Sequence, residues 1–269
     1  MPRSTDNGSQ PESFGLALVA QDVGVRFDLG LARHRTMRRA IATTLRAVAH
    51  PLPPAEFWAI RDISFSLAPG EILGVVGRNG SGKSTLLATL AGVMPPDEGL
   101  VAAFGGVPSL LTLGAGFEQE LTGRENIYLN GTYLGYDREY IESRYWDIVT
   151  FSELGSFIDV PLKKYSTGMR ARLGFSIAAF TDPSTMLIDE VFGVGDVAFS
   201  EKSRKKMMEI VQGPRSIVIV SHSMGFLREI AHRVMWIHEG KLVTIGEPDT
   251  VTRDYENAVE ADEGAVRSI

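Results

Sequence analysis

Hydrophobic and polar positions divide the chain into short, recognisable elements. Residues 1–14 are polar and read as a flexible lead. Leu16, Leu18 and Val19, then the alternating Val23, Val25 and Phe27, predict a first strand over Leu16 to Phe27. Trp58 to Leu67 predicts a second, Pro69-Gly70 a turn, and the apolar run Ile72 to Val76 a third, buried strand. Thr85 to Leu90 reads as helix, Leu121 to Ile148 as largely helical, Phe151 to Tyr165 as mixed, and Gly168 to Phe180 as an amphipathic helix. Met186 to Ile188 and Ile217 to Val220 are further buried-type strands. Val234 to His238 and Lys241 to Ile245 predict a hairpin around Glu239-Gly240. The tail over residues 250–269 is acidic and compatible with helix.

Between the first two strands, residues 28–57 form a distinct insert. Arg33, Arg35, Arg38, Arg39 and Arg46 lie there with no acidic residue between Asp28 and Glu56. Met37, Ile41, Leu45 and Val48 recur at helical spacing, and Pro51, Pro53 and Pro54 end the run. Two readings stay open: a solvated surface helix, or a face for acidic lipid head groups or a membrane partner.

Composition narrows the class. The 269 residues are 44% hydrophobic and 22% charged, as expected of a soluble globular core. The net charge of −6 gives no electrostatic reason to expect nucleic acid as a partner. The chain contains no cysteine, which excludes disulfides and thiolate metal sites. No signal peptide is visible. Gly99 to Phe117 is long and uncharged, but Gly105, Gly106, Pro108, Gly114 and Gly116 break it into strands and turns rather than a membrane span.

The candidate chemistry is concentrated at strand ends. Gly77-Arg78-Asn79-Gly80-Ser81-Gly82-Lys83-Ser84 has the spacing of a P-loop between a strand and a helix. Backbone N–H groups from Gly77 through Thr85 can cradle phosphate at a helix N-terminus. Lys83 would reach the β- and γ-phosphates, and the Ser84 hydroxyl would bind Mg²⁺. Asp189 closes an apolar strand and is a second candidate for Mg²⁺. Glu190, next along, is placed to polarise an attacking water. His222 follows another apolar strand, at the edge where α/β sheets bind ligands, and can hydrogen-bond the γ-phosphate. His34, His50, His232 and His238 carry no such context. Ser166, Thr167, Gly168 and Met169 open a helix and make a second anion-competent N-terminus.

Taken in order, these motifs resemble the nucleotide-binding subunit of an ABC transporter over about Leu16 to Asp249. Tyr165-Ser166-Thr167-Gly168-Met169 departs from the usual Leu-Ser-Gly-Gly-Gln signature and is similar to that of the subfamily exporting lipid-linked polysaccharides (O-antigen, teichoic acid, capsule or galactan). Leu121 to Tyr128, Asp189 to Asp196 and the basic insert carry the same resemblance.

The resemblance implies an α/β P-loop NTPase fold of the ABC ATPase type, with a mixed sheet core, an antiparallel β subdomain and a helical subdomain over residues 121–180. It implies one ATPase domain over residues 1–269, with no carbohydrate-binding domain appended. ATP and Mg²⁺ are the implied ligands. Two subunits would stack head to tail, each ATP lying between one P-loop and the other subunit's Ser166 and Gly168. Asp196 would lie in a loop crossing the dimer, and Phe27 would stack on adenine. The subunits would sit peripherally on the cytoplasmic face of the cytoplasmic membrane and drive two copies of an integral permease. Another transporter class, or an ABC ATPase outside transport, is the alternative. Glu118 and Gln119 lie near the expected permease-facing glutamine, without a clean match.

Overall fold

The computed structural model describes residues 15–28, 56–111, 116–189 and 197–267. Residues 29–55 of the basic insert, Glu190 and Asp196 lie outside the described residues, while its end positions Asp28, Glu56 and Phe57 belong to strands rather than to the insert.

Two sheets organise the molecule. β1 (Leu18–Asp28) pairs antiparallel with β2 (Glu56–Leu67) and with β4 (Glu98–Ala103), giving the order β2-β1-β4. The larger sheet adds β3 (Ile72–Val76), β5 (Ser109–Leu111), β6 (Thr185–Asp189), β7 (Ser216–Val220), β8 (Arg233–His238) and β9 (Lys241–Gly246) in the order β5-β6-β7-β3-β8-β9. All its pairings are parallel except the terminal β8–β9 hairpin. Glu239 and Gly240 both take positive φ in that turn, as a tight hairpin requires.

β3, β6 and β7 are apolar along their length because both faces are covered. On one face, Leu73, Val75, Leu187, Val218 and Val220 pack under α1 (Lys83–Leu90) and the antiparallel sheet. On the other, Ile72, Val76, Met186, Ile188, Ile217 and Ile219 meet α4 (Thr167–Phe180), α5 (Val197–Val211), α6 (Met224–Ile230) and α7 (Pro248–Arg267). Leu86, Leu87 and Leu90 are fully buried and hold α1 in place. Truncating any one of them to alanine costs about 2–5 kcal/mol.

The stretch after Leu121 is two helices, α2 (Gly123–Tyr133) and α3 (Arg138–Ser152), not one continuous run. Gly135 at φ +85° breaks it, and Asp137 caps α3 by accepting from the Tyr140 N–H. Thr122 and Glu125 form a reciprocal capping box on α2. Two short 3₁₀ turns, Gly155–Asp159 and Leu162–Lys164, lead to α4. α4 is not amphipathic as the sequence suggested. Ala171, Phe175 and Ala178 face the sheet core, while Leu173 and Ile177 join Ile127, Ile141 and Ile148 in the helical layer. A helix that is apolar on two sides is a shared wall between two cores.

At the start of β3, Glu71 is only 11% exposed and accepts from Arg233 Nε at 2.6 Å and from the Ala68 N–H at 2.8 Å. Burial alone would raise its pKa, but the Arg233 and Ala68 hydrogen bonds outweigh it and hold the carboxyl below its ordinary 4.5. A depressed folded pKa stabilises the fold above the unfolded value and loses that contribution as pH falls through the folded value. Glu71→Gln should therefore be less stable than the parent chain at neutral pH in urea denaturation. The gap should shrink as pH drops below 4.5 and close once the parent carboxyl is protonated.

Candidate functional site

The register of the parallel strands sets the site. Val75 of β3 and Asp189 of β6 both pair with Val220 of β7. Gly77 and His222 each lie two residues beyond that row. Three chain segments thus leave the sheet at one carboxyl edge, where open α/β sheets bind ligands.

Here the phosphate loop lies close against its neighbours. Gly82 takes φ +101°, and a Cβ on it would sit 2.4 Å from the Ala59 carbonyl oxygen of β2. A Cβ on Gly77 would sit 2.3 Å from the Ile237 carbonyl oxygen of β8. Only glycine permits both approaches. The Gly240 N–H donates to the Ser81 carbonyl at 3.0 Å, and the Arg61 N–H donates to the Gly240 carbonyl at 2.8 Å. The β8–β9 turn therefore clamps the loop to β2. Lys83 is buried, and its Nζ donates to the Gly77 and Arg78 carbonyls at 2.7 and 2.9 Å. The Ser81 hydroxyl is buried without a hydrogen-bond partner. An orphaned hydroxyl beside inward-turned backbone is chemistry suited to an anion's oxygens. Outside the loop, the Arg78 guanidinium meets Asp262 of α7 at 3.1 Å.

A cleft of about 320 Å³ opens over this loop. Asn79, Gly80, Gly82, Lys83, Ser84 and Thr85 line one part of it, joined by Asp189, His222 and Phe27. Residues about 140 positions apart in sequence, Lys83 and His222, thus share one cavity. Phe57 and Ala59 also line it, and sequence reasoning passed over both. The sequence pattern places Phe57 at the end of the insert, whereas β2 begins at Glu56 and takes it into the strand that precedes the loop-bearing one. Among the described residues no cluster of three or more His, Asp or Glu side chains could hold a metal alone. Ser84 and Asp189 instead offer one hydroxyl and one carboxylate in the same cleft, hard oxygen donors that fit Mg²⁺ when phosphate oxygens supply the rest.

Ser166 to Met169 do not line the cleft of their own chain. Ser166 caps α4, its Oγ accepting from the Met169 N–H at 3.2 Å, and Ser166 and Thr167 are exposed. Tyr165, just before, is buried, and its hydroxyl donates to the Phe157 carbonyl at 2.6 Å. Burial pushes its pKa up to about 12, so it stays a donor at any physiological pH. Gln119 is exposed and tied to this turn: its carbonyl accepts from the Lys163 N–H at 2.9 Å and its Oε1 from Arg170 at 3.4 Å. Glu118 donates its N–H to Asn126 Oδ1 at 2.8 Å. Neither residue lines the cleft.

Comparison with known proteins agrees with this geometry. The ABC transporter family profile matches residues 60–193. The O-antigen export system ATP-binding protein RfbB of Klebsiella pneumoniae is 46% identical over 204 residues, spanning 76% of this chain and 83% of that relative. The chain belongs to the ABC transporter family. The teichoic acids export ATP-binding protein TagH of Lactococcus lactis is 44% identical over 205 residues, covering 76% of this cassette and 44% of TagH. An ATP-binding subunit of an ABC transporter superposes with a TM-score of 0.67 at 18% identity, over 89% of this chain and 93% of that one. The dimeric cassette MJ0796 bound to ADP and Pi superposes at 0.64 and 17%, over 86% and 98%. These likenesses establish the fold as that of an ABC ATPase cassette: a mixed sheet, an antiparallel sheet and a helical layer. Among the described residues no helix of this cassette is long and apolar enough to cross a membrane.

Gly82→Ala should destabilise the cassette by about 1–3 kcal/mol, since it strains the backbone and presses Cβ onto the Ala59 carbonyl. Urea denaturation of parent and variant measures it directly.

Proposed function

We propose that this chain is the ATP-hydrolysing subunit of a polysaccharide exporter. It works as a pair of identical cassettes on the cytoplasmic face of the cytoplasmic membrane, and the pair drives two copies of a separate integral permease that moves a lipid-linked glycan outward. The observation that carries this reading is the single cleft shared by the phosphate loop, Asp189, His222 and an aromatic rim. The Klebsiella and Lactococcus relatives, named for O-antigen export and teichoic acids export, support the direction and the cargo class.

The backbone from Gly77 to Thr85 binds and orients the phosphates, and Lys83 neutralises charge on the β- and γ-phosphates. Ser84 and Asp189 would hold Mg²⁺, which supplies charge neutralisation at the phosphate oxygens. Glu190, the residue after Asp189, accepts a proton from the attacking water, and His222 fixes that water and the γ-phosphate in line. Ser166 and Gly168 do not line their own chain's cleft and are proposed to close over the partner's ATP, with Asp196 in the crossing loop. ATP binding joins the pair, and hydrolysis separates it.

Two experiments test this. Glu190→Gln should lower phosphate release by at least about 100-fold, the ordinary worth of a general base, while ATP still holds a dimer on gel filtration. Normal hydrolysis in that variant would remove Glu190 from the role. Separately, Lys83→Ala and Ser166→Arg chains should each be inactive alone, yet regain turnover when mixed, because the mixed dimer holds one intact composite site. Absence of recovery, with mixed dimers verified by mass spectrometry, would refute the shared site.

A further inference from the structure

Three helices meet at one carboxylate. Glu153 follows the last residue of α3 and takes φ +56° and ψ +27°, the left-handed conformation. Helices usually place glycine there, because a Cβ is crowded in that conformation. Glu153 accepts from Lys202 Nζ of α5 at 2.7 Å and from Arg172 Nη1 of α4 at 3.4 Å. Lys202 also donates to the Phe151 carbonyl at 3.0 Å, in the last turn of α3, where a helix supplies no partner of its own. The Arg172 and Lys202 side chains are 19% and 35% exposed, so this is no ordinary surface pair. Each cation also stands over a ring: Lys202 Nζ is 4.5 Å from the centre of Phe151, and Arg172 Cζ 4.9 Å from that of Phe199. Phe151 in turn packs on Phe175, Phe180 and Phe199, at centroid distances of 5.9, 5.4 and 5.7 Å. The rings therefore join the same three helices as the charges.

This node lies close to two helix starts. α4 begins at Thr167, directly after Ser166, and α5 at Val197, directly after Asp196. Arg172 is five residues beyond Thr167, and Lys202 is five beyond Val197. Each is thus about 7–8 Å along its helix axis from the first residue. α5 is also the helix into which the chain runs from Asp189. One carboxylate ties these two starts to the end of α3. A left-handed L-residue persists where its surroundings over-determine it. Glycine would relieve the backbone here but would bind neither cation.

We infer that Glu153 is a positioning residue for ATP hydrolysis, acting through Arg172 and Lys202 to fix the spacing between the starts of α4 and α5. The inference rests on the reading of the chain as an ATPase. Glu153 does not line the cleft, so nucleotide affinity does not depend on it. Turnover does, because a displacement of about 1 Å can cost about 100-fold in rate.

Steady-state phosphate release, with isothermal titration of the full chain by Mg-ADP, tests this. Glu153→Gln and Glu153→Gly should each lower kcat about 10-fold, within the range that misplacement costs, and leave ADP affinity unchanged. Lys202→Met should do the same. The double variant Glu153→Gln/Lys202→Met should be no slower than either single one, since both remove one contact. Glu153→Gly separates positioning from folding. Glycine suits the left-handed conformation, so its urea midpoint should lie at or above that of Glu153→Gln while its kcat stays low. Parent-like kcat in both Glu153 variants overturns the inference. So does a fall in kcat that comes with a fall in ADP affinity or follows the urea midpoint, because Glu153 would then only stabilise the fold. A parent chain that releases no phosphate would instead remove the ATPase reading itself, and this inference with it.

Discussion

Close backbone approach is the constraint on which this cassette depends. The loop after β3 must lie against the Ala59 carbonyl of β2 on one side and the Ile237 carbonyl of β8 on the other. No side chain fits at Gly77 or Gly82 without moving those carbonyls. That contact joins three pieces distant in sequence: the antiparallel sheet, the central sheet and α1. The β8–β9 turn completes it through Gly240, bonded to Ser81 on one side and to Arg61 on the other. A loop held this tightly has its N–H groups aimed before any ligand arrives, so little ordering entropy is lost on binding.

The rest of the architecture divides into what supports that loop and what stands apart from it. Parallel pairing of β6, β7 and β3 delivers Asp189 and the segment bearing His222 to the loop's edge of the sheet. Both faces of those strands are covered, which is why their sequence is uniformly apolar. α4 stands on the far side as a wall between the sheet core and the helical layer. Its first residues belong neither to the central core nor to the lining of their own chain's cleft. The helix is fixed by packing on two sides while its Ser166 cap stays exposed.

Much of this was legible without coordinates, for stated reasons. β3, β6 and β7 announce themselves because a doubly covered strand is an apolar run bounded by glycine, acid or histidine. The β8–β9 hairpin was legible from Glu239-Gly240, where a tight turn demands positive φ. Other parts were not. α6 has seven residues, too few for a helical period to register, and α5 spaces Phe199, Met207, Ile210 and Val211 too thinly. The break at Gly135 was hidden by helix-compatible residues on both sides. Phe57 reads in sequence as the end of the insert, because β2 begins two residues earlier than the predicted strand.

Sequence alone determined the chemistry available and the order in which it is strung: a glycine loop ending in Lys83-Ser84, a serine–glycine helix start, Asp189 after one strand and His222 after another. These are local patterns, set by what each residue's backbone and side chain can do. Tertiary structure decided which of them meet. Strand order β6-β7-β3 puts Asp189 and His222 beside Lys83, the shifted β1–β2 ladder adds Phe57 to Phe27, and burial of α4 on two sides keeps Ser166 out of the cleft. Adjacency of that kind depends on long-range pairing and on volume filled from both faces, and no local pattern of residues encodes it.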